Sequence, residues 1–261
     1  MSLHHTTIGD GPARVVFLHG LFGQGKNFTQ IAKGLSDLAT CTLVDLPNHG
    51  RSAWTDEVSY PQMAAAVAEL LRELDGPVCL VGHSMGGKVA MRTALDHPDL
   101  VERLMVVDIS PAAGLGSNFG PLIDAMQSLD LPALESRRQA DELLSAGIPN
   151  PTVRGFLMQN LRHEPGDDGQ RHWHWQMNLD LLARELDDRI AGWPEVASSY
   201  PGPVLWVAGE KSPYVRPDAA PTMRRLFPRY LLVTIKDAGH WVHSEQPENF
   251  TATLRHFLQR G

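Results

Sequence analysis

Two cysteines in 261 residues, Cys41 and Cys79, are too few to staple a fold of this length. Each sits in a β-type apolar run, Cys41-Thr42-Leu43-Val44-Asp45 and Val78-Cys79-Leu80-Val81. They read as buried structural thiols of a reducing compartment, which excludes a disulfide or catalytic role. Long apolar runs are lacking as well. The longest are strand-sized, far below the ~20 residues that span a bilayer. The segment Met1-Ser2-Leu3-His4-His5-Thr6-Thr7 has neither the basic start nor the apolar core of a signal peptide. No stable membrane insertion and a cytoplasmic location are therefore expected. Basic runs are missing too: 23 Lys and Arg against 30 Asp and Glu leave a net charge of −7 spread along the chain, so nucleic acid is not an expected partner. With 43% hydrophobic and 20% charged residues the chain is globular in composition, and its length allows one large domain or two small ones.

What is present is an alternation. Residues 14–18 form a short apolar run that enters the Gly-rich turn His19-Gly20-Leu21-Phe22-Gly23, as a buried strand does before a loop. Helical spacing of Phe28, Ile31, Leu35 and Leu38 predicts a helix over 27–38. A strand over 41–46, a helix carrying Met63, Val67, Leu70, Leu71 and Leu74, a strand over 78–81, a helix over 88–97 and a strand over 103–108 follow. This order predicts an α/β fold with a mostly parallel, doubly wound sheet. The rhythm breaks over 111–200, where Pro, Gly and Leu-rich helical patches (122–129, 137–144) surround Trp173-His174-Trp175. It resumes with strand 203–208, a helix near 217–226, strand 230–235 and a helix over 247–258. Residues 1–110 and 201–261 are thus expected to form one core, with 111–200 a helical lid inserted at the carboxyl edge of the sheet after the strand ending at Asp108.

Gly82-His83-Ser84-Met85-Gly86 fits G-x-S-x-G, a weak pattern alone, but a buried strand precedes it and a helix follows. That context makes Ser84 a nucleophile on a strained turn and puts the Met85 N–H at a helix N-terminus, able to bond an oxyanion. The turn after the first strand offers a second donor, the Leu21 N–H, with Phe22 the neighbouring alternative. A serine needs a base, and among twelve histidines His240 stands in Asp237-Ala238-Gly239-His240-Trp241, a loop between the last strand and the last helix. His19, His49, His83 and His243 read as structural. His172 and His174 lack further ligands to complete a metal site. The orienting acid is expected after the penultimate strand, yet that turn reads Gly209-Glu210-Lys211-Ser212-Pro213-Tyr214. Asp108, ending the strand beside the nucleophile strand, is costly to bury unless His240 pairs it, so it is the expected acid, with Ser212 as an auxiliary partner. Glu210, Asp237 and Asp180 are the rivals.

With these residues the chain resembles the α/β-hydrolase superfamily over nearly its whole length. His-Gly-Leu-Phe-Gly, the Asp45…Asn48-His49-Gly50-Arg51-Ser52 loop, Gly-His-Ser-Met-Gly-Gly-Lys, Val-Asp-Ile-Ser-Pro, Ser212-Pro213-Tyr214-Val215 and Ala-Gly-His-Trp-Val-His together resemble the YbfF-type esterases and α/β-hydrolase domain-containing protein 11. The resemblance implies a carboxylesterase or thioesterase with a Ser-His-Asp triad, the acid displaced to Asp108 and Ser212 as a fourth member. It implies short to medium acyl esters as substrates, with acyl-CoA thioesters a further class, and no leader like that of the mitochondrial forms. A C–C bond hydrolase or a perhydrolase using the same triad is the alternative. Phe22 and Trp241 are candidate walls of the acyl pocket. No metal or organic cofactor is implied, and monomer and homodimer are equally compatible with the sequence. A net charge of −7 offers no general attraction to an anionic acyl-CoA, whereas neutral esters need none.

Overall fold

The computed structural model describes residues 2–113 and 119–259. Strand β1 (His5–Leu18) leads through a short turn into α1 (Thr29–Lys33), and then come β2 (Ala39–Val44), α2 (Tyr60–Arg72), β3 (Val78–His83), α3 (Met85–Asp96) and β4 (Val101–Val107). Helix α2 begins where the Ser59 hydroxyl accepts the Gln62 N–H and Pro61 occupies the first turn, a favourable start on both counts. The helix expected over 27–38 is shorter than its apolar stripe. Gly34 ends α1, and Leu35 is buried from a turn instead.

The segment between β4 and the next sheet strand carries helices α4 (Gly120–Gln127), α5 (Arg137–Leu144), α6 (Pro151–Met158) and α7 (Leu179–Arg184), then one π-helical turn over Leu186–Ile190. It also holds a hairpin that the reading of the segment as helical does not include, β5 (Leu161–Pro165) paired antiparallel with β6 (Arg171–Trp175). The signal is period two: in Arg171-His172-Trp173-His174-Trp175 the histidines are exposed while Trp175 is buried, and a Gly166-to-Gly169 turn joins the strands. The chain then returns through β7 (Val204–Gly209), α8 (Ala220–Leu226), β8 (Tyr230–Ile235), α9 (Val242–Glu245) and α10 (Pro247–Gln259).

The six core strands form one sheet in the order β2-β1-β3-β4-β7-β8, so strands from before and after the insertion lie side by side, with Val106 opposite Trp206. Residues 14–18 run parallel to 40–44, and the β1–β3, β3–β4, β4–β7 and β7–β8 pairs are parallel as well. Alternate residues serve opposite faces. Leu104 and Val106 join α2, α3 and α8 on one side, while Met105 and Val107 join α1 and α10 on the other. Central strands buried on both faces carry apolar residues on both, which is why Val78–Val81 of β3, Leu104–Val107 of β4 and Val204–Ala208 of β7 read as continuous runs. This construction brings the carboxyl ends of β3, β4 and β7 to one edge, with the insertion leaving from the same edge.

Candidate active site

Ser84 sits between β3 and α3 with φ 54 and ψ −120, outside the regions most side chains adopt. The turn is that tight because the flanking glycines allow it. A Cβ on Gly82 would meet the Gly86 carbonyl oxygen at 2.2 Å, and one on Gly86 would meet the Leu18 and His19 carbonyl oxygens at 2.4 Å. The Ser84 N–H is tied to the Val107 carbonyl at 2.9 Å, so the elbow is fixed to the neighbouring strand. Backbone strain of this kind persists where surrounding structure over-determines it.

His240 lies in the loop between β8 and α9. Its Nε2 is 3.0 Å from Ser84 Oγ, and its Nδ1 is 2.7 Å from Asp108 Oδ2. Asp108, at φ 52 after β4, is wholly buried, and its carboxylate is satisfied: Oδ1 accepts the Gly209 N–H at 3.0 Å, and Oδ2 accepts the Ser212 hydroxyl. With the carboxylate at Nδ1, that nitrogen carries the proton and Nε2 is left to accept from Ser84. The rival acids are engaged elsewhere. Glu210 accepts the Asp237 N–H at 3.0 Å, Asp237 pairs with Lys211 at 2.9 Å, and Asp180 accepts from Gln127 at 3.2 Å.

Other groups hold the histidine in place. His83 donates from Nε2 to the His240 carbonyl at 2.8 Å, and burial, with the imidazoles of His240 and His243 beside it, holds the His83 pKa well below the ordinary histidine range. The Tyr214 ring stacks on the His240 imidazole with centroids 4.1 Å apart. Of these two, His83 read only as structural, and Tyr214 drew notice only as part of a motif.

The Phe22 N–H donates to His49 Nε2 at 3.2 Å, so it is already in use, whereas no partner holds the Leu21 N–H among the described residues. The Met85 N–H opens α3 and has no helical acceptor. Leu21, Ser84 and Met85 line a small space of about 30 Å³ with Tyr60, Lys88, Ile109, Phe119, Leu186, Ile190 and Tyr214. A second space, about 10 Å³, lies on the His240 side against Gly20, Phe156 and Trp241. Phe156 and Trp241 also line a neighbouring cavity of about 360 Å³. Trp241 is therefore at the mouth, 5.7 Å from His240 between ring centroids. Phe22 is fully buried and lines none of these spaces; Phe119, 6.2 Å from it, lines two. A cavity of about 760 Å³ lined by Pro47, Trp54, Gln62 and Glu69 includes no residue of the Ser-His-Asp set. Among the described residues, no group of three or more His, Cys, Asp or Glu could hold a metal ion, and no helix is long and apolar enough to cross a membrane. His172 instead pairs with Asp168 at 2.9 Å, and His174 lies 3.8 Å from Glu164.

Comparison with known proteins bears on the family and the class of reaction. The sn-1-specific diacylglycerol lipase ABHD11 of Danio rerio is 41% identical over 253 residues, covering 94% of this chain and 78% of its own. Esterase YbfF of Escherichia coli (strain K12) is 28% identical over 246 residues, covering 94% of this chain and 92% of its own. A solved structure described as a marine microorganism esterase superposes with a TM-score of 0.91 at 32% identity, covering 98% of this chain and 99% of that one. The family model for the alpha/beta hydrolase fold matches residues 13–247, and the chain belongs to that family.

Proposed function

We propose that this enzyme, an ester-cleaving hydrolase of the alpha/beta hydrolase fold, hydrolyses short to medium acyl esters through an acyl-enzyme on Ser84, with acyl-CoA thioesters as a second substrate class. The observation that carries the reading is the continuous chain Ser84–His240–Asp108 at 3.0 and 2.7 Å. His240 takes the Ser84 proton as Oγ attacks the ester carbonyl. The Leu21 and Met85 N–H groups bond the oxyanion, and the imidazolium returns the proton to the leaving alcohol or thiol. Water then repeats the sequence on the acyl-enzyme. Asp108 stays ionised, fixing the tautomer and stabilising the imidazolium, and Ser212 and Gly209 hold the carboxylate. Residues 111–200 act as the lid.

The two small spaces flanking Ser84 suggest how a substrate lies. The space past Leu21 and Met85, walled by Ile109, Phe119, Leu186 and Ile190, takes the acyl group, while the His240 side, beside Phe156 and Trp241, takes the leaving group. At about 30 Å³ the acyl space is small, so long chains enter only when the lid residues Leu186 and Ile190 move. The names of the relatives favour ester cleavage over the C–C hydrolase and perhydrolase alternatives.

The test is a panel of p-nitrophenyl esters from acetate to dodecanoate, a diacylglycerol and acyl-CoA thioesters, run on the parent and Ser84→Ala. We expect kcat/KM to peak at short to medium chains and Ser84→Ala to lose on the order of 10⁴-fold or more. Turnover by Ser84→Ala near that of the parent would overturn the reading.

A further inference from the structure

One residue of the oxyanion loop is held in a conformation its side chain does not favour. The Gly23 N–H donates to the Gly20 carbonyl at 2.9 Å, closing a four-residue turn in which Phe22 is the third residue, at φ 62. Leu21 has no positive φ, so the turn is type II, whose third position normally falls to Gly or Asn. Phenylalanine there persists only where its surroundings impose it. Turning the Leu21–Phe22 peptide over would give a type I turn and remove the positive φ. It would also exchange the faces presented by the Leu21 carbonyl and the Phe22 N–H, one residue from the proposed oxyanion donor.

The Phe22 N–H, on the peptide that would turn over, and the Phe22 carbonyl, on the next peptide of the same turn, are both anchored. From the core side, His49 Nε2 accepts the Phe22 N–H at 3.2 Å; its Nδ1 donates to the Pro47 carbonyl at 2.9 Å, which leaves Nε2 free to accept. From the side of the insertion, Asn160 Nδ2 donates to the Phe22 carbonyl at 2.8 Å. Asn160 lies between α6 and β5, 138 residues from Phe22 in sequence, and is completely buried. Its amide cannot turn cheaply. Oδ1 accepts Gln24 Nε2 at 2.5 Å, Nδ2 also reaches the Leu157 carbonyl at 3.2 Å, and the backbone carbonyl accepts the Gln176 N–H at 2.8 Å. A buried amide with every group engaged is expensive to disturb. Asn160 makes no hydrogen bond to Ser84, His240 or Asp108 among the described residues.

We propose that Asn160 is a positioning residue of the oxyanion hole. Through the Phe22 carbonyl it holds the strained turn from the insertion side, as His49 holds it from the core side. The Leu21 N–H then faces the Ser84 adduct only while residues 157–160 are seated. The proposal rests on the acyl-transfer reading above.

The test is Asn160→Ala, assayed for kcat and KM on p-nitrophenyl butyrate, for inhibition by an alkyl trifluoromethyl ketone that adds to the nucleophilic serine as an oxyanion, and for thermal unfolding. Removing an oxyanion donor costs ~10²–10³ in kcat, and displacing one costs less. We expect kcat about 10- to 100-fold lower with KM within about threefold, and the ketone inhibition constant raised by about the factor lost from kcat/KM. The Ser84–His240–Asp108 contacts are untouched by the substitution. A folded variant with kcat within about twofold of the parent overturns the proposal. So does a loss carried by KM with ketone affinity unchanged, the pattern of lid packing alone. Should Asn160→Ala fail to fold, Gln24→Leu frees the amide to rotate and is expected to show the same pattern at about three- to tenfold; unchanged kcat there overturns the proposal equally. Failure of the underlying reading looks different: the parent itself would neither cleave the ester nor bind the ketone.

Discussion

Lys88, one turn into α3, puts a titratable amine where few proteins keep one. It is 2% exposed, donates to the Ala191 and Gly192 carbonyls at 2.8 and 2.7 Å, and lies 5.6 Å from the Tyr60 ring centroid. No carboxylate pairs with it among the described residues. Burial pushes its pKa down to about 7, against an ordinary 10.5. Above pH 7 the native chain has lost a proton that the unfolded chain retains until near 10.5, so the unfolded state binds more protons and native stability rises with pH over that window. The amine is half titrated at pH 7, so at a limiting slope of about 1.4 kcal/mol per pH unit the step from pH 7 to 9 is worth about 2 kcal/mol. Both hydrogen bonds survive the loss of the proton, since a neutral amine keeps two N–H groups for two carbonyls. Lys88→Met keeps the length of the side chain and removes the titration. Its hydrogen-bond loss, about 0.5–1.5 kcal/mol per bond, opposes the relief of an uncompensated buried charge and does not vary with pH. Other groups titrate alike in both proteins and cancel in the comparison. Urea unfolding of parent and variant, followed by tryptophan fluorescence at pH 6, 7, 8 and 9, should therefore give a stability difference that is level below pH 7. Above it, the difference should move by about 2 kcal/mol in favour of the parent by pH 9. A difference constant within about 0.5 kcal/mol across the series would refute the argument, because Lys88 would then keep its proton in both states.

Three further outcomes follow from the site. Asp108→Asn should lower kcat by about 10³–10⁴, because the amide stabilises the wrong imidazole tautomer, whereas Glu210→Gln and Asp180→Asn should stay within about threefold. Steady-state kinetics giving the opposite ranking would reassign the acid. Ser212→Ala removes one of the bonds to the Asp108 carboxylate but leaves the Gly209 N–H, and should cost about three- to tenfold in kcat/KM; a loss as large as that of Asp108→Asn would make Ser212 an equal member. Burial pushes the Cys41 and Cys79 thiols up to about 12, so Ellman's reagent at pH 8 should find no reactive thiol in the native protein and two in urea. Rapid native labelling would contradict their placement in the sheet.

The residues that the structure brings together and that we propose to react were legible as candidates in the sequence, because type and position in a strand–loop–helix rhythm are both sequence properties. Ser84 follows a buried strand and Asp108 ends the next one, and in a parallel sheet those ends meet at one edge. His240 arrives there by the same rule, and the serine at position 212, where an aspartate is expected, pointed to the acid. The donor opposite Met85 was legible only to within one residue. Whether Leu21 or Phe22 turns its N–H to the site depends on the conformation of the whole turn, and His49 and Asn160 hold the two peptides on either side of Phe22 from 27 and 138 residues away.

The insertion was least legible for a related reason. Its apolar residues pack against a core whose surface is not written in the insertion itself, and the two strands of the hairpin β5–β6 are only five residues each, with period two visible only in β6. Phe22 shows the same limit from the other side. Its place next to the oxyanion donor suggested a pocket wall, yet the positive φ that sets the turn carries its ring into the core, and Phe119, from beyond β4, lines the space instead. The residues that react are thus set by the sheet, while those that shape the space around them are set by contacts across the insertion. Acyl-chain selectivity should accordingly respond to substitutions at Phe119, Leu186 and Ile190 more than to any at the ends of the strands.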